Sequence, residues 1–223
     1  MVETKTVAGL VNRTLATLAS LPPARPTVTR RALNSKDKEW NAKWLKLETL
    51  GQPALEHLQA EAFHFCADYA KDQVKGRLLI IYGNNGVGKT LVAEGIARWA
   101  FESRNNYRKL KENETHVKVP DVKFARWPRF LDTLKNGDWE KVTEAMHVNL
   151  LVLDEIGGAH DPSGMGTDKL CSILSHRETK WTVITTNLTP ENWENAFDRR
   201  IASRFFRNAT HVEMNSVSDY NVQ

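Results

Sequence analysis

Two short stretches carry the residue types that handle a triphosphate. Gly83-Asn84-Asn85-Gly86-Val87-Gly88-Lys89-Thr90 fits the pattern GxxxxGK[ST] at every position. Glycines let the backbone pass close to an anion with no Cβ in the way. Successive N–H groups, followed by the first turn of a helix, then face the phosphates. Lys89 is suited to reach the β- and γ-phosphates, and the Thr90 hydroxyl to ligate Mg²⁺. Nucleotide contacts are expected from the whole of Gly83–Leu91. The second stretch is Leu150-Leu151-Val152-Leu153-Asp154-Glu155. Asp154 is expected to hold Mg²⁺ through its water shell, and Glu155 to polarise the attacking water as general base. Phosphate cradle and paired acids together read as binding and hydrolysis of ATP.

These residues need elements to bring them together. Leu78–Tyr82 is a continuous apolar run just before the glycines, the signature of a strand buried on both faces. A helical pattern follows, with Leu91, Val92, Ile96, Trp99 and Ala100. Leu150–Asp154 reads as another buried strand, which puts its terminal acids at the carboxyl edge of a sheet, where open α/β folds bind ligands. Further strands are expected at 122–127, 181–186 and 211–214, and helices at 53–71, after Pro128 and over 199–206. Strands alternating with helices give a parallel sheet with right-handed crossovers, an α/β fold. Residues 104–120 are polar and read as a long surface loop. The run Gly157–Gly164 reads as a surface loop that glycines could also let move.

Upstream, Val7, Leu10, Val11, Leu15 and Leu18 recur at helical spacing, and Pro22, Pro23 and Pro26 end that pattern. Residues 1–52 are therefore assigned to an N-terminal helical extension and 53–223 to the ATPase domain. Trp40 and Trp44 share one helix face, which suits either a partner-docking stripe or intramolecular packing. Nine of the 31 Lys/Arg but only four of the 27 Asp/Glu fall in residues 1–50, so the net charge of +4 has its basic excess in this arm. Such an arm could bind nucleic acid or an acidic protein surface, or be plain solvated chain. No apolar run approaches the ~20 residues of a membrane span, and the start lacks a signal-peptide pattern, so a cytoplasmic protein is expected. Cys66 and Cys171 lack CxxC spacing and read as reduced thiols in or near the core.

The downstream residues carry a family resemblance. Trp181-Thr-Val-Ile-Thr-Thr-Asn187 resembles the sensor-1 strand of AAA+ ATPases, and Asp198-Arg-Arg-Ile-Ala-Ser-Arg204-Phe resembles the arginine-finger helix of DnaC- and DnaA-type proteins. Over roughly residues 55–220 the chain resembles the DnaC/IstB-like helicase-loader group. That resemblance implies a three-layer AAA+ sandwich around a parallel sheet, with no C-terminal helical lid. It implies Asn187 at the γ-phosphate or attacking water, and Arg204, or failing that Arg200, as the finger supplied to a neighbouring subunit. Head-to-tail homo-oligomers, slow turnover in isolation, a replicative helicase as partner and single-stranded DNA as ligand are implied as well. In this group DNA contacts come from the region that here holds Lys118, Lys123, Arg126, Trp127 and Arg129, a basic groove beside an aromatic; Trp127 could equally pack at a strand end. Two other functions remain open. One is an IstB-type transposition helper that binds duplex DNA and recruits a transposase, and the other is an ATP-dependent protein switch with no DNA contact.

Overall fold

The computed structural model describes residues 39–40, 43–45, 53–71, 76–108, 122–157, 161 and 163–216. Expectations for residues 1–38, including the amphipathic stretch at 6–20, and for Lys118 lie outside the described residues. The elements run α1 (Pro53–Lys71), β1 (Leu78–Tyr82), α2 (Lys89–Arg108), β2 (Val122–Arg126), α3 (Trp127–Lys135), α4 (Trp139–His147), β3 (Leu150–Ile156), α5 (Met165–His176), β4 (Trp181–Thr186), α6 (Pro190–Ala196), α7 (Arg199–Asn208) and β5 (Ala209–Glu213). The expected loop at 104–120 is corrected at its start, because α2 runs on to Arg108, and residues 109–120 lie outside the described residues. A polar helix end and a polar loop look alike in sequence.

The five strands form one sheet in the order β2-β3-β4-β1-β5, parallel at each pairing. Alternation along β1 divides the core. Leu79 and Ile81 face α1 and α2 on one side, joined by Val152 and Val183. Ile80 faces the other side with Leu151, Leu153 and Ile184, against α3 to α7. Cys66 and Cys171 are free thiols buried in these two different layers, and burial pushes the Cys66 thiol up. Amphipathy explains α7: Ile201, Ala202 and Phe205 are buried, while Arg199, Arg200 and Arg207 are exposed.

Trp40 packs edge-on against Phe63 of α1 and Trp99 of α2, with ring centroids 5.4 and 6.0 Å away. Leu45 is fully buried in the same layer. A Cβ on Gly95 of α2 would come within 2.5 Å of the Trp44 carbonyl oxygen, so this segment lies directly on the helix. For Trp40 the intramolecular reading holds: its half-buried ring packs against the core.

At the sheet's amino edge Arg177 acts as a staple. Nε donates to Thr182 Oγ1 at 3.0 Å, one terminal nitrogen to the carbonyls of Ala145 and Val148 at 2.9 and 2.7 Å, and the other to those of Trp181 and Asn149 at 2.5 and 3.3 Å. The cation thus sits at the carboxyl end of α4, where the helix dipole favours it, and ties α4, β3 and β4 to the end of α5. Among the described residues no helix is long and apolar enough to cross a membrane.

Candidate functional site

Strand order assembles the site. β1 ends in the glycine loop, β3 ends in the acids, and β4 lies between them. Gly86 and Gly88 have φ of 76° and 93°, in the left-handed region that favours glycine, so the loop can curl over its own amides. The Gly83 N–H is tied to the Thr186 carbonyl at 3.3 Å, which fixes the loop to β4. Lys89 and Thr90 begin α2, so the helix N-terminus faces the cavity.

A cavity of about 230 Å³ is lined by Asn85, Gly86, Gly88, Lys89, Thr90, Glu155, Thr185 and Asn187. Lys89 is 8% exposed, and its Nζ donates to the carbonyls of Gly83, at 2.8 Å, and Asn84. Burial pulls the Lys89 ammonium below its usual pKa, opposed by the charges of Asp154 and Glu155. An ammonium has three donors, so two loop carbonyls leave one for a ligand. Asn84 contributes this carbonyl, Val87 is buried beneath the loop, and Leu91 is on the exposed side of α2.

Asp154 is fully buried. Thr90 Oγ1 donates to its two carboxylate oxygens at 3.0 and 3.2 Å, and Thr185 Oγ1 donates to Oδ1 at 2.5 Å. No ion pair reaches Asp154 among the described residues. A buried anion met by hydroxyls alone is an oxygen donor set suited to a hard divalent cation. Glu155, one residue on, is exposed toward the cavity and has φ 62°, the one positive value outside glycine among the described residues. Asn187 is exposed at the end of β4 and lines the same cavity. The structure therefore brings Lys89, Thr90, Asp154, Glu155 and Asn187 together. Thr185 joins them and was missed by sequence reasoning. The available signal was the pair of hydroxyls, Thr185 and Thr186, that closes a fully buried strand.

The two arginines lie elsewhere. Arg204 on α7 pairs with Glu178 and donates to Ser175 Oγ at 2.9 Å, while its buried Nε meets no acceptor. Arg200 bonds the Asp198 carboxylate at 2.7 Å and Asp168 at 3.2 Å, and the Asp198 hydrogen bond raises its pKa. Both line a separate cavity of about 330 Å³ with Glu178, Ser203 and Arg207. Neither lines the Lys89 cavity of its own chain.

The expected DNA groove is corrected in part. Trp127 is buried and stacks on Phe130 at 5.7 Å, so it is not free to stack on a base. Lys123 is paired with Glu144. Among the described residues of that groove, Arg126, with a side chain 60% exposed and a weak 3.9 Å contact to Glu94, and exposed Arg129 are the cations open to solvent.

Comparison with known proteins fits this geometry. A family model described as IstB-like ATP binding protein matches residues 67–218. The chain is 24% identical over 148 residues to the chromosomal replication initiator protein DnaA of Pseudothermotoga lettingae, covering 65% of this chain and 31% of that protein. It therefore spans less than a third of that relative. Among solved structures, the replication initiator DnaA bound to AMPPCP and single-stranded DNA superposes with a TM-score of 0.54 at 18% identity, over 78% of this chain and 50% of that one. The DnaC helicase loader superposes with a TM-score of 0.53 at 18% identity, over 71% and 90%. These neighbours establish the fold as the P-loop AAA+ type.

Proposed function

The chain belongs to the IstB-like ATP-binding protein family, and from that premise we propose that it is a slow ATPase of the helicase-loader type, acting in DNA replication. The observation that carries this is the single cavity lined by Lys89, Thr90, Glu155 and Asn187, with buried Asp154 bonded to Thr90 behind it. The loop amides and Lys89 bind the triphosphate, with the α2 N-terminus adding its dipole. Thr90 and Asp154 would hold Mg²⁺, which, when bound, would neutralise charge on the triphosphate. Glu155 takes the proton from the attacking water, and Asn187 orients that water or the γ-phosphate. Arg204 reaches the γ-phosphate of a neighbouring copy, with Arg200 as the second candidate. Arg204 carries a buried N–H with no acceptor and lies outside the Lys89 cavity, which supports a role between copies. Head-to-tail repetition of that contact generates an open helix or a ring.

Single-stranded DNA is the proposed nucleic acid, by likeness to the DnaA complex that holds it, with Arg126 and Arg129 as its phosphate contacts. The N-terminal arm is proposed to hold the helicase. A second reading is favoured by the family match itself: a transposition helper of the IstB type that binds duplex DNA and recruits a transposase. Filter binding of single-stranded and duplex DNA, with and without ATP and with Glu155→Gln to hold ATP in place, separates the two. Preference for duplex overturns the loader reading, and absence of any DNA binding leaves the ATP-dependent protein switch. Removing residues 1–32 should abolish partner capture and leave nucleotide binding intact. A cut at residue 50 would also take Leu45 from the core.

A further inference from the structure

The Thr185 hydroxyl touches both acids of the site, and we infer that Thr185 is a positioning residue that sets Asp154 and Glu155 in their working orientations. The inference rests on the ATPase reading and assigns it a part that the glycine loop and the acids do not supply.

The pairing of β3 with β4 carries the argument. Leu153 lies opposite Ile184 and Ile156 opposite Thr186, so Asp154 and Glu155 together face the single residue Thr185. Two residues against one is a β-bulge. In a regular strand neighbouring side chains alternate, so Asp154 and Glu155 would point to opposite faces of the sheet. The bulge changes that. Asp154 is turned inward to Thr90, while Glu155 takes φ 62° and faces the cavity. A glutamate does not hold that backbone conformation unaided.

Thr185 supplies the hold. Its one hydroxyl proton goes to Asp154 Oδ1 at 2.5 Å, and its oxygen accepts the Glu155 N–H at 2.9 Å. The same atom thus fixes the carboxylate that would carry the cation and the backbone that aims the base. Packing alone does not require this residue. Val183 and Ile184 precede it on a fully buried strand, where valine would fill the same space without a hydroxyl.

The test uses the full chain with Thr185→Val and Thr185→Ser. The readouts are affinity for a fluorescent ATP analogue with and without Mg²⁺, steady-state turnover, and melting temperature. For Thr185→Val, metal-free affinity should stay within about twofold of the parent, since the loop and Lys89 are untouched. The gain in affinity from Mg²⁺ should shrink, and turnover should fall by about ten- to a hundredfold, the range for losing hydrogen bonds to a charged group. Thr185→Ser should bring both back to within about threefold. Should the valine chain fail to fold, Thr185→Cys, close in size and a weak hydrogen-bonder, carries the same comparison. Unchanged turnover and Mg²⁺ gain in Thr185→Val, equal loss of metal-free affinity, or failure of serine to rescue each overturns the inference. Lys89→Ala run in parallel separates the failures. If it binds as tightly as the parent, the ATPase reading itself falls; if it loses nucleotide while Thr185→Val is unaffected, only the positioning role falls.

Discussion

Lys89 and Arg177 are both buried cations, 8% and 3% exposed, at opposite edges of the same sheet. Burial pulls both below their ordinary pKa, Lys89 against the pull of Asp154 and Glu155. Their hydrogen bonding separates them. The five donors of the Arg177 guanidinium face six acceptors, the carbonyls of Ala145, Met146, Val148, Asn149 and Trp181 and the Thr182 hydroxyl. Lys89 has three donors and two acceptors, both on its own loop. A saturated buried cation holds a fold together. An unsaturated one, beside a cavity and a helix N-terminus, waits for an anion.

The largest effect expected from this contrast is on stability. Arg177→Ala strips partners from several buried carbonyls and should cost about 3 kcal/mol or more, as unsatisfied buried groups do. Denaturant unfolding measures it, and a cost under about 1 kcal/mol would break the contrast. The folded fraction should still bind nucleotide with parental affinity. Next in size, Glu155→Gly relieves a left-handed glutamate and should stabilise by about 1 kcal/mol, while turnover collapses for want of the base. Thermal melts and turnover on the same preparation check both halves. Arg204→Ala should leave nucleotide affinity unchanged and remove the part of turnover that rises with protein concentration. Smallest are the surface cations. Arg126→Ala and Arg129→Ala should each lower the slope of log affinity for single-stranded DNA against log salt by about 0.7. A titration across salt concentrations reads that slope, and an unchanged value removes them from the interface.

Much of this was legible because it is local. Leu78–Tyr82 and Trp181–Thr186 appear as strands with the bounds their apolar runs suggest, and Pro53–Lys71 is the expected helix. The glycine loop and both acids are short-range patterns whose chemistry demands those residue types. What stayed hidden depends on pairing across the sheet. The bulge at Asp154 and Glu155 exists only in register with β4, so neither the φ of Glu155 nor the part of Thr185 could be read from β3 alone. Arg177 reads as an ordinary helix-end cation until β3, β4 and α4 close around it. Trp127 suits a base or a strand-end packing position in sequence, and its stacking on Phe130 decides for packing. β5 starts at Ala209, two residues before the expected His211, because a partly buried edge strand has a weak apolar signal.

The most direct test is a nucleotide titration of Lys89→Ala beside the parent, with denaturant unfolding of both in the absence of ligand. Affinity for ATP should fall by about a hundredfold, the loss of charge-assisted bonds to two phosphates, while unliganded stability changes by less than about 1 kcal/mol. Parental affinity in Lys89→Ala, or a loss of stability as large as that of Arg177→Ala, would contradict the account.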